Sequence, residues 1–195
     1  MLHKNNLVFR RAETDKDFQK IFELHNKNTV SSLSDEELKD GFLSGEFSLD
    51  KFRAMNDSIC IMTCFSGNDL CGYHIASTPE FNQTSPLLMQ MMQQFDKIIY
   101  KGKPLAEYEC FMAGPSCIAK EYRGLGIYPQ LISSLFDFLK VTQNPSRLRI
   151  SFASELNPRS LNAQKKIGCE IIGEFMFNSS KFMISCLDLE DTLRL

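Results

Sequence analysis

A glycine bend running straight into an amphipathic helix is the feature that most constrains this chain. Tyr122-Arg123-Gly124-Leu125-Gly126-Ile127-Tyr128-Pro129 supplies the bend. Behind it Ile127, Leu131, Leu135 and Phe138 recur at helical spacing, and Ile132, Phe136 and Leu139 widen the stripe into one core-facing face. Proline lacks an N–H and is tolerated only in the first turn of a helix, so Pro129 places the helix start a few residues upstream, inside the bend. The bend then carries the orphan N–H donors of that first turn. With the positive end of the helix dipole they favour a bound phosphate or pyrophosphate, and the two glycines let such a group approach the main chain. Phe111 to Ile118 reads as a short buried strand ahead of the bend, so the unit is strand, loop, helix. It is not a Walker P-loop, because no Gly-Lys-Ser/Thr follows. Nor is it a full G-x-G-x-x-G fingerprint, because position 129 is proline. Taken alone, the bend is equally readable as a tight strand-to-helix turn.

A second motif follows. Ser154-Glu155-Leu156-Asn157-Pro158-Arg159-Ser160 comes after the alternating segment Arg147 to Ala153 and before Leu161-Asn162-Ala163-Gln164-Lys165-Lys166-Ile167-Gly168-Cys169. Asn157 is a natural N-cap, Pro158 occupies the first helical position, and Gly168 stands where a helix ends before a new strand.

Around these motifs strands and helices alternate. Residues 6 to 12 read as a strand, and 15 to 26 as a helix capped by Thr14 with Phe18, Ile21, Phe22 and His25 on one face. Ser34-Asp35-Glu36-Glu37 is a capping box opening a second helix, and a shorter helix is expected from Asp50 to Met55. Ser58 to Phe65 and Leu70 to Ser77 read as a hairpin, as do Glu170 to Phe177 and Phe182 to Leu189. The class is α/β with a mixed sheet of about six to seven strands flanked by helices. A chain of 195 residues with 43% hydrophobic residues and no low-complexity linker reads as one domain, 1–195.

The net charge of −2 and the lack of a basic run argue against a nucleic-acid surface. No apolar run approaches the roughly 18 residues of a membrane span, and the start, with Lys4, Asn5 and Asn6, lacks the apolar core of a signal peptide, so a cytoplasmic location and no membrane are expected. Seven cysteines without a CxxC pair read as small core residues with free thiols, and no metal is expected.

Together, Arg-Gly-x-Gly-Ile opening a helix, a strand, Asn-x-x-Ser, a helix and Lys-x-Gly resemble the coenzyme A binding core of the GCN5-related N-acetyltransferases. Leu7 to Phe18 resembles that family's first strand and helix. The resemblance implies a sheet splayed between its fourth and fifth strands, with acetyl-CoA in the gap. It places the pyrophosphate on Arg123, Gly124, Leu125, Gly126, Ile127 and Tyr128, and the pantetheine arm along a strand ending at Cys117 and Ile118. Asn157 and Ser160 match positions that touch the cofactor. Tyr128 departs from the family pattern of Gly or Ala, so its ring must turn away from the phosphates. Arg123 is either a cofactor contact or a solvated surface arginine.

The implied reaction is attack of a neutral primary amine, on a small molecule or a protein, upon the thioester. Holding a lysine-like amine of pKa about 10.4 neutral at pH 7 costs roughly 4.6 kcal/mol, whereas an α-amine near 7.7 costs roughly 1. The position aligned with the tyrosine acid of many family members is Gln164. Neither Met112 nor Gly114 supplies a carboxylate, which leaves Glu109 as a base acting through water, with Glu107, Glu155 and Tyr128 behind it. A domain that binds acyl-CoA as a sensor, without transfer, is the alternative.

The chain departs most from the family between the third and fourth strands. After Ser85-Pro86, the residues Leu88, Met91, Met92, Phe95 and Ile98 recur at helical spacing, predicting an inserted amphipathic helix at about 85–100. Its apolar face packs on the sheet or on a second subunit of a homodimer, or its methionines line the acceptor site together with His74.

Overall fold

The computed structural model describes residues 7–192, the side chain of Thr192 excepted, so Lys4, Asn5 and Asn6 lie outside the described residues. In chain order the elements begin β1 (Leu7–Arg11), α1 (Asp15–Asn26), α2 (Asp35–Leu38), α3 (Leu49–Ser58), β2 (Cys60–Ser66) and β3 (Asp69–Ser77). Then come α4 (Pro86–Met92), β4 (Ile99–Tyr100), β5 (Lys103–Pro104), β6 (Cys110–Ile118) and α5 (Ile127–Val141). The chain continues through β7 (Leu148–Ser154), α6 (Pro158–Lys166), β8 (Glu170–Phe177), β9 (Ser180–Asp188) and α7 (Leu189–Thr192). Seven strands are hydrogen-bonded in the order β1-β2-β3-β6-β7-β9-β8, and β4 pairs with β5 apart from them. The pairs β1–β2, β2–β3, β7–β9 and β8–β9 are antiparallel, and β6 runs parallel to β7. That parallel ladder joins Cys110, Phe111 and Met112 to Leu148, Arg149 and Ile150, a short register that fits the expected splay.

Two compact units share the chain. The first comprises residues 1–76 and 114–142, and the second residues 77–113 and 143–195. In the first, Ile21, Phe52, Ile61, Tyr73, Ile75, Leu131 and Leu135 are fully buried. The entry to α1 explains its sharp start. Thr14 Oγ1 accepts from the Asp17 N–H, and the Asp17 carboxylate accepts from the Glu13 and Thr14 N–H groups and from both terminal nitrogens of Arg10 at 2.8 and 2.7 Å. Burial alone would raise the Asp17 pKa, but these bonds outweigh it and hold the group below the usual carboxylate range.

In the second unit Met91, Phe95, Tyr100, Leu105, Met112, Leu148, Ile150, Phe175, Phe182 and Ile184 form one core. Phe175 stacks on Phe182 at 5.2 Å with Phe152 edge-on to both, each large ring contributing about 2–3 kcal/mol through burial. The insertion differs from the helix its periodicity predicts. Helix α4 stops at Met92, and the N–H groups of Gln94 and Phe95 reach back only three residues, to Met91 and Met92. The Phe95 and Ile98 carbonyls are instead taken by the N–H groups of Ala106 and Leu105 beyond the β4–β5 hairpin. Met91 is thereby fully buried in this core rather than free to line a ligand site. An ion network holds the hairpin, with Lys101 donating to Asp188 at 2.8 Å and Asp191 at 2.6 Å, while Arg147 bonds Asp188 at 2.9 Å. Burial pushes the Cys60, Cys64, Cys117 and Cys186 thiols up to about 12, which suits thiols that serve as core residues.

His25 gives the first unit a pH-sensitive element. Its Nε2 lies 2.7 Å from the Gly45 carbonyl, which can only accept, so Nε2 carries the hydrogen. Nδ1, 2.6 Å from Tyr73 Oη, therefore accepts from the tyrosine hydroxyl. Burial lowers the His25 pKa, against smaller opposing pulls from the Gly45 carbonyl and Glu46. An imidazole whose folded pKa is depressed costs nothing above the unfolded value near 6.5 and loses stability as pH falls below it. Denaturant unfolding should therefore show stability falling from pH 7 to pH 5, by at most about 2 kcal/mol from this group. His25→Gln, which can still donate to Gly45, should flatten that slope.

Candidate functional site

The glycine bend lies within the first unit and is built from the end of β6 outward. Ala119 N–H donates to the Cys71 carbonyl at 2.9 Å, so the edge of the chain carrying Ala119 faces β3. Strand alternation puts Cys117 on that same edge, and the Cys117 carbonyl indeed lies 2.8 Å from where a Gly72 side chain would begin. Only glycine fits at position 72. The main-chain groups of Ser116 and Ile118 consequently face the other edge. Of the strand-end candidates, Cys117 therefore turns its main chain toward β3 and its side chain into the core, while Ile118 keeps the outward edge. Ser116 shares that edge.

After Ile118 the chain makes one tight helical turn over Lys120–Tyr122. Arg123 is half-buried and accounted for: its Nε donates to the Ile118 carbonyl at 3.0 Å and one terminal nitrogen to Asn28 Oδ1 at 3.1 Å. It straps the bend to the strand end and to the segment following α1, rather than standing as a solvated arginine. Gly124 (φ 80°) and Gly126 (φ 76°, ψ 18°) are left-handed, and Gly126 is the N-cap of α5. A side chain at either would cost about 1–2 kcal/mol in strain. Both glycines are exposed, and a methyl group at 124 would meet no heavy atom within 4 Å. The main chain here is open to an incoming group.

The first turn of α5 holds no acidic residue and no side-chain cap, so no side chain of that turn neutralises the positive end of the dipole. Ile127 is buried and Leu125 half-buried, leaving their main chains as the usable part. The Tyr128 ring turns toward β3 and meets His74 edge-on at 6.1 Å. His74 Nδ1 lies 2.6 Å from Ser116 Oγ. A groove of about 500 Å³ beside the bend mixes Lys20, Lys27 and Lys120 with Glu23, Asp69 and Glu121, so a preference for anions comes from the bend, not from the groove.

The remaining candidates belong to the second unit. Asn157 caps α6, its Oδ1 accepting from the Ser160 N–H at 3.1 Å, while its own N–H donates to the Ser154 carbonyl at 2.9 Å. Ser160 is half-buried one turn into the helix, and its Oγ accepts from Gln164 Nε2 at 3.3 Å. Glu109 is exposed and stands just ahead of β6, where its carbonyl accepts from the Arg147 and Leu148 N–H groups. Glu107 and Glu155 are also exposed. Thus Ile118 and residues 123–128 are gathered at one bend, and Asn157 and Ser160 at one helix start. Among the described residues no group of three or more His, Cys, Asp or Glu is arranged to hold a metal.

Known structures of the same shape exist. The protein yncA from Salmonella typhimurium, described as an acetyltransferase and solved with its cofactor acetyl-CoA, superposes with a TM-score of 0.60 at 12% identity over 95% of each chain. A protein from Desulfovibrio desulfuricans, described as an acetyltransferase of the GNAT family, gives 0.61 at 12% identity, covering 93% of this chain and 98% of its own. A chain of the NatC complex bound to Gag peptide and CoA gives 0.63 at 14% identity, covering 94% and 99%. No protein-family model and no curated protein sequence matches.

The cap at Asn157 makes a direct prediction. Asn157→Ala should lower unfolding stability by about 1 kcal/mol, and Asn157→Ser, which keeps a capping oxygen, by a few tenths. Urea titration of the three proteins measures this.

Proposed function

We propose that this chain, whose fold is that of the GCN5-related N-acetyltransferases, is an acetyl-CoA dependent N-acetyltransferase acting on a primary amine of a small molecule or protein. The two units are then halves of one catalytic domain. The observation that carries the reading is the exposed, left-handed glycine pair at the uncompensated start of α5. Main-chain N–H groups there suit the pyrophosphate of coenzyme A. Arg123 holds the cradle in shape. The outward main-chain edge of Ser116 and Ile118 suits the pantetheine arm, which binds as an added strand would. The NatC chain was solved with a peptide and CoA and yncA with acetyl-CoA, and both support this choice of ligand. No helix among the described residues is long and apolar enough to cross a membrane, which accords with a reaction in aqueous solution.

In the transfer the amine nitrogen bonds to the thioester carbon, the C–S bond breaks, and the electron pair leaves with sulfur. The amine must arrive neutral. With no side chain tuned as a base, the acceptor's own acidity governs the rate; the alternative base is Glu109, exposed just ahead of β6 and acting through an intervening water. The acyl-CoA sensor remains the second reading, favoured by one observation: Gln164, in the place of the family's tyrosine acid, is buried and bonded to Ser160. Thiol release from acetyl-CoA with a panel of amines separates the two, since a sensor releases none.

Two outcomes test the main reading. Gly124→Val with Gly126→Val should cut coenzyme A affinity by tenfold or more, measured by calorimetry, in a protein that still folds. Wild-type affinity in that variant would sink the cradle. For catalysis, kcat/KM should climb about tenfold per pH unit up to the acceptor's own pKa and then level. If Glu109 acts through water, the profile instead levels at a pKa common to all acceptors, and Glu109→Gln removes that inflection.

A further inference from the structure

A serine and a histidine meet inside the first unit, where β6 lies beside β3. His74 Nδ1 is 2.6 Å from Ser116 Oγ. His74 is fully buried and Ser116 half-buried, so the pair has one enclosed end and one accessible end. The Tyr128 ring, from the first turn of α5, meets the imidazole edge-on at 6.1 Å and limits how it can turn. A hydroxyl within hydrogen-bond reach of an imidazole, itself oriented by a third group, is the arrangement by which proteins activate a weak nucleophile. The neighbouring thiol is no rival. Cys117 is buried, and burial pushes its pKa up to about 12, so it stays protonated and inert.

Ser116 also turns its main chain to the outward edge of β6, the edge that suits the pantetheine arm. A serine hydroxyl alone is a poor nucleophile at neutral pH, and a base that takes its proton as the new bond forms is what makes it react. A neutral imidazole has one nitrogen that donates and one that accepts. With the ring hydrogen on Nε2, Nδ1 accepts from Ser116 and is that base. The Ser116 N–H faces the same edge as the arm, and it offers a main-chain donor to a carbonyl oxygen as negative charge builds there.

We infer that Ser116 is a nucleophile with His74 as its base, and that the acetyl group of acetyl-CoA passes through an ester on Ser116 before it reaches the amine. The inference rests on the coenzyme A reading above. In the first step Ser116 Oγ bonds to the thioester carbon and its proton moves to His74 Nδ1. The C–S bond breaks with its electron pair on sulfur, which then takes the proton from His74. In the second step the neutral amine bonds to the same carbon, and the C–Oγ bond breaks with its pair on Oγ. The proton that the amine nitrogen must lose passes through His74 to Oγ. The ring is neutral again after each step, and neither a carboxylate nor a tyrosine at position 164 is required.

The test leaves the amine out. Wild type, Ser116→Ala, Ser116→Cys and His74→Gln are each mixed with acetyl-CoA, thiol release is followed, and the quenched protein is mapped by mass spectrometry. The wild type should release one thiol per chain in a burst and carry one acetyl group on the peptide containing Ser116. If water then cleaves the ester, release continues beyond the burst. Ser116→Ala should lose both release and label, while Ser116→Cys, which keeps a nucleophile there, should still be labelled. His74→Gln should acetylate about 100-fold more slowly. With an amine present, initial rates at several acetyl-CoA concentrations should give the parallel reciprocal plots of a ping-pong reaction. No thiol release from a wild type that binds coenzyme A in calorimetry overturns the proposal. So do intersecting plots, or a label that persists unchanged in Ser116→Ala. Should His74→Gln fail to fold, the two Ser116 variants decide. A wild type that binds no coenzyme A would instead refute the functional reading beneath, and this inference with it.

Discussion

The passage from β6 into α5 is possible only through left-handed backbone at Gly124 and Gly126, and the candidate anion site is a by-product of that passage. The left-handed entry leaves two exposed residues without side chains at the positive end of a fifteen-residue helix. Strain is small here because both positions are glycine, and it would return as soon as either gained a Cβ. What remains is to stop the loop from moving, and Arg123 does so through main-chain and side-chain acceptors on either side of it.

The second unit solves a different problem. Its apolar core is conventional, with three phenylalanines stacked and edge-on, but a permanent cation, Arg149, is buried beside it. A buried charge is tolerated when its donors are spent on good acceptors, and removing one partner leaves a cost of several kcal/mol. Here Ser151 and the Cys169 thiol are among those acceptors. The demand of a buried cation for acceptors orients the Ser151 hydroxyl, which donates to Gln164, and Gln164 donates in turn to Ser160.

Much of this was legible in the chain. Helix α1 starts and ends where Thr14 and the apolar spacing put it, and α6 runs from Pro158 to Lys166 as the Asn157 cap and Gly168 imply. The last hairpin turns at Asn178 and Ser179, both with positive φ, as polar turn residues allow. These signals are local, and local physics decides them. Where long-range pairing decides, the pattern misled. The spacing Leu88, Met91, Met92, Phe95, Ile98 reads as one helix, yet Leu105 and Ala106 capture the Ile98 and Phe95 carbonyls and end it. Whether Cys117 or Ser116 turns its main chain to the outward edge is set by strand parity, which shows only when a neighbouring strand fixes it. The partners of Gln164 lie one turn away on α6 and across on β7, so its place in the motif alone did not reveal them.

Within the first unit, the bend is mechanically tied to the segment after α1. Arg123 bonds Asn28, and the Asn28 carbonyl accepts from the Leu43 N–H at 2.9 Å while the Leu43 carbonyl accepts from Val30. Two residues on, the Gly45 carbonyl is held by His25 from inside the core. The path from Gly124 to Gly45 therefore runs through one arginine, one asparagine and a short bridge, with a buried imidazole anchoring the far end. Each link is a single hydrogen bond worth about 1 kcal/mol net, so the segment is weaker than the sheet beside it. Asn28 is the residue that joins the two sides, its side chain accepting from Arg123 and its main-chain carbonyl from the Leu43 N–H.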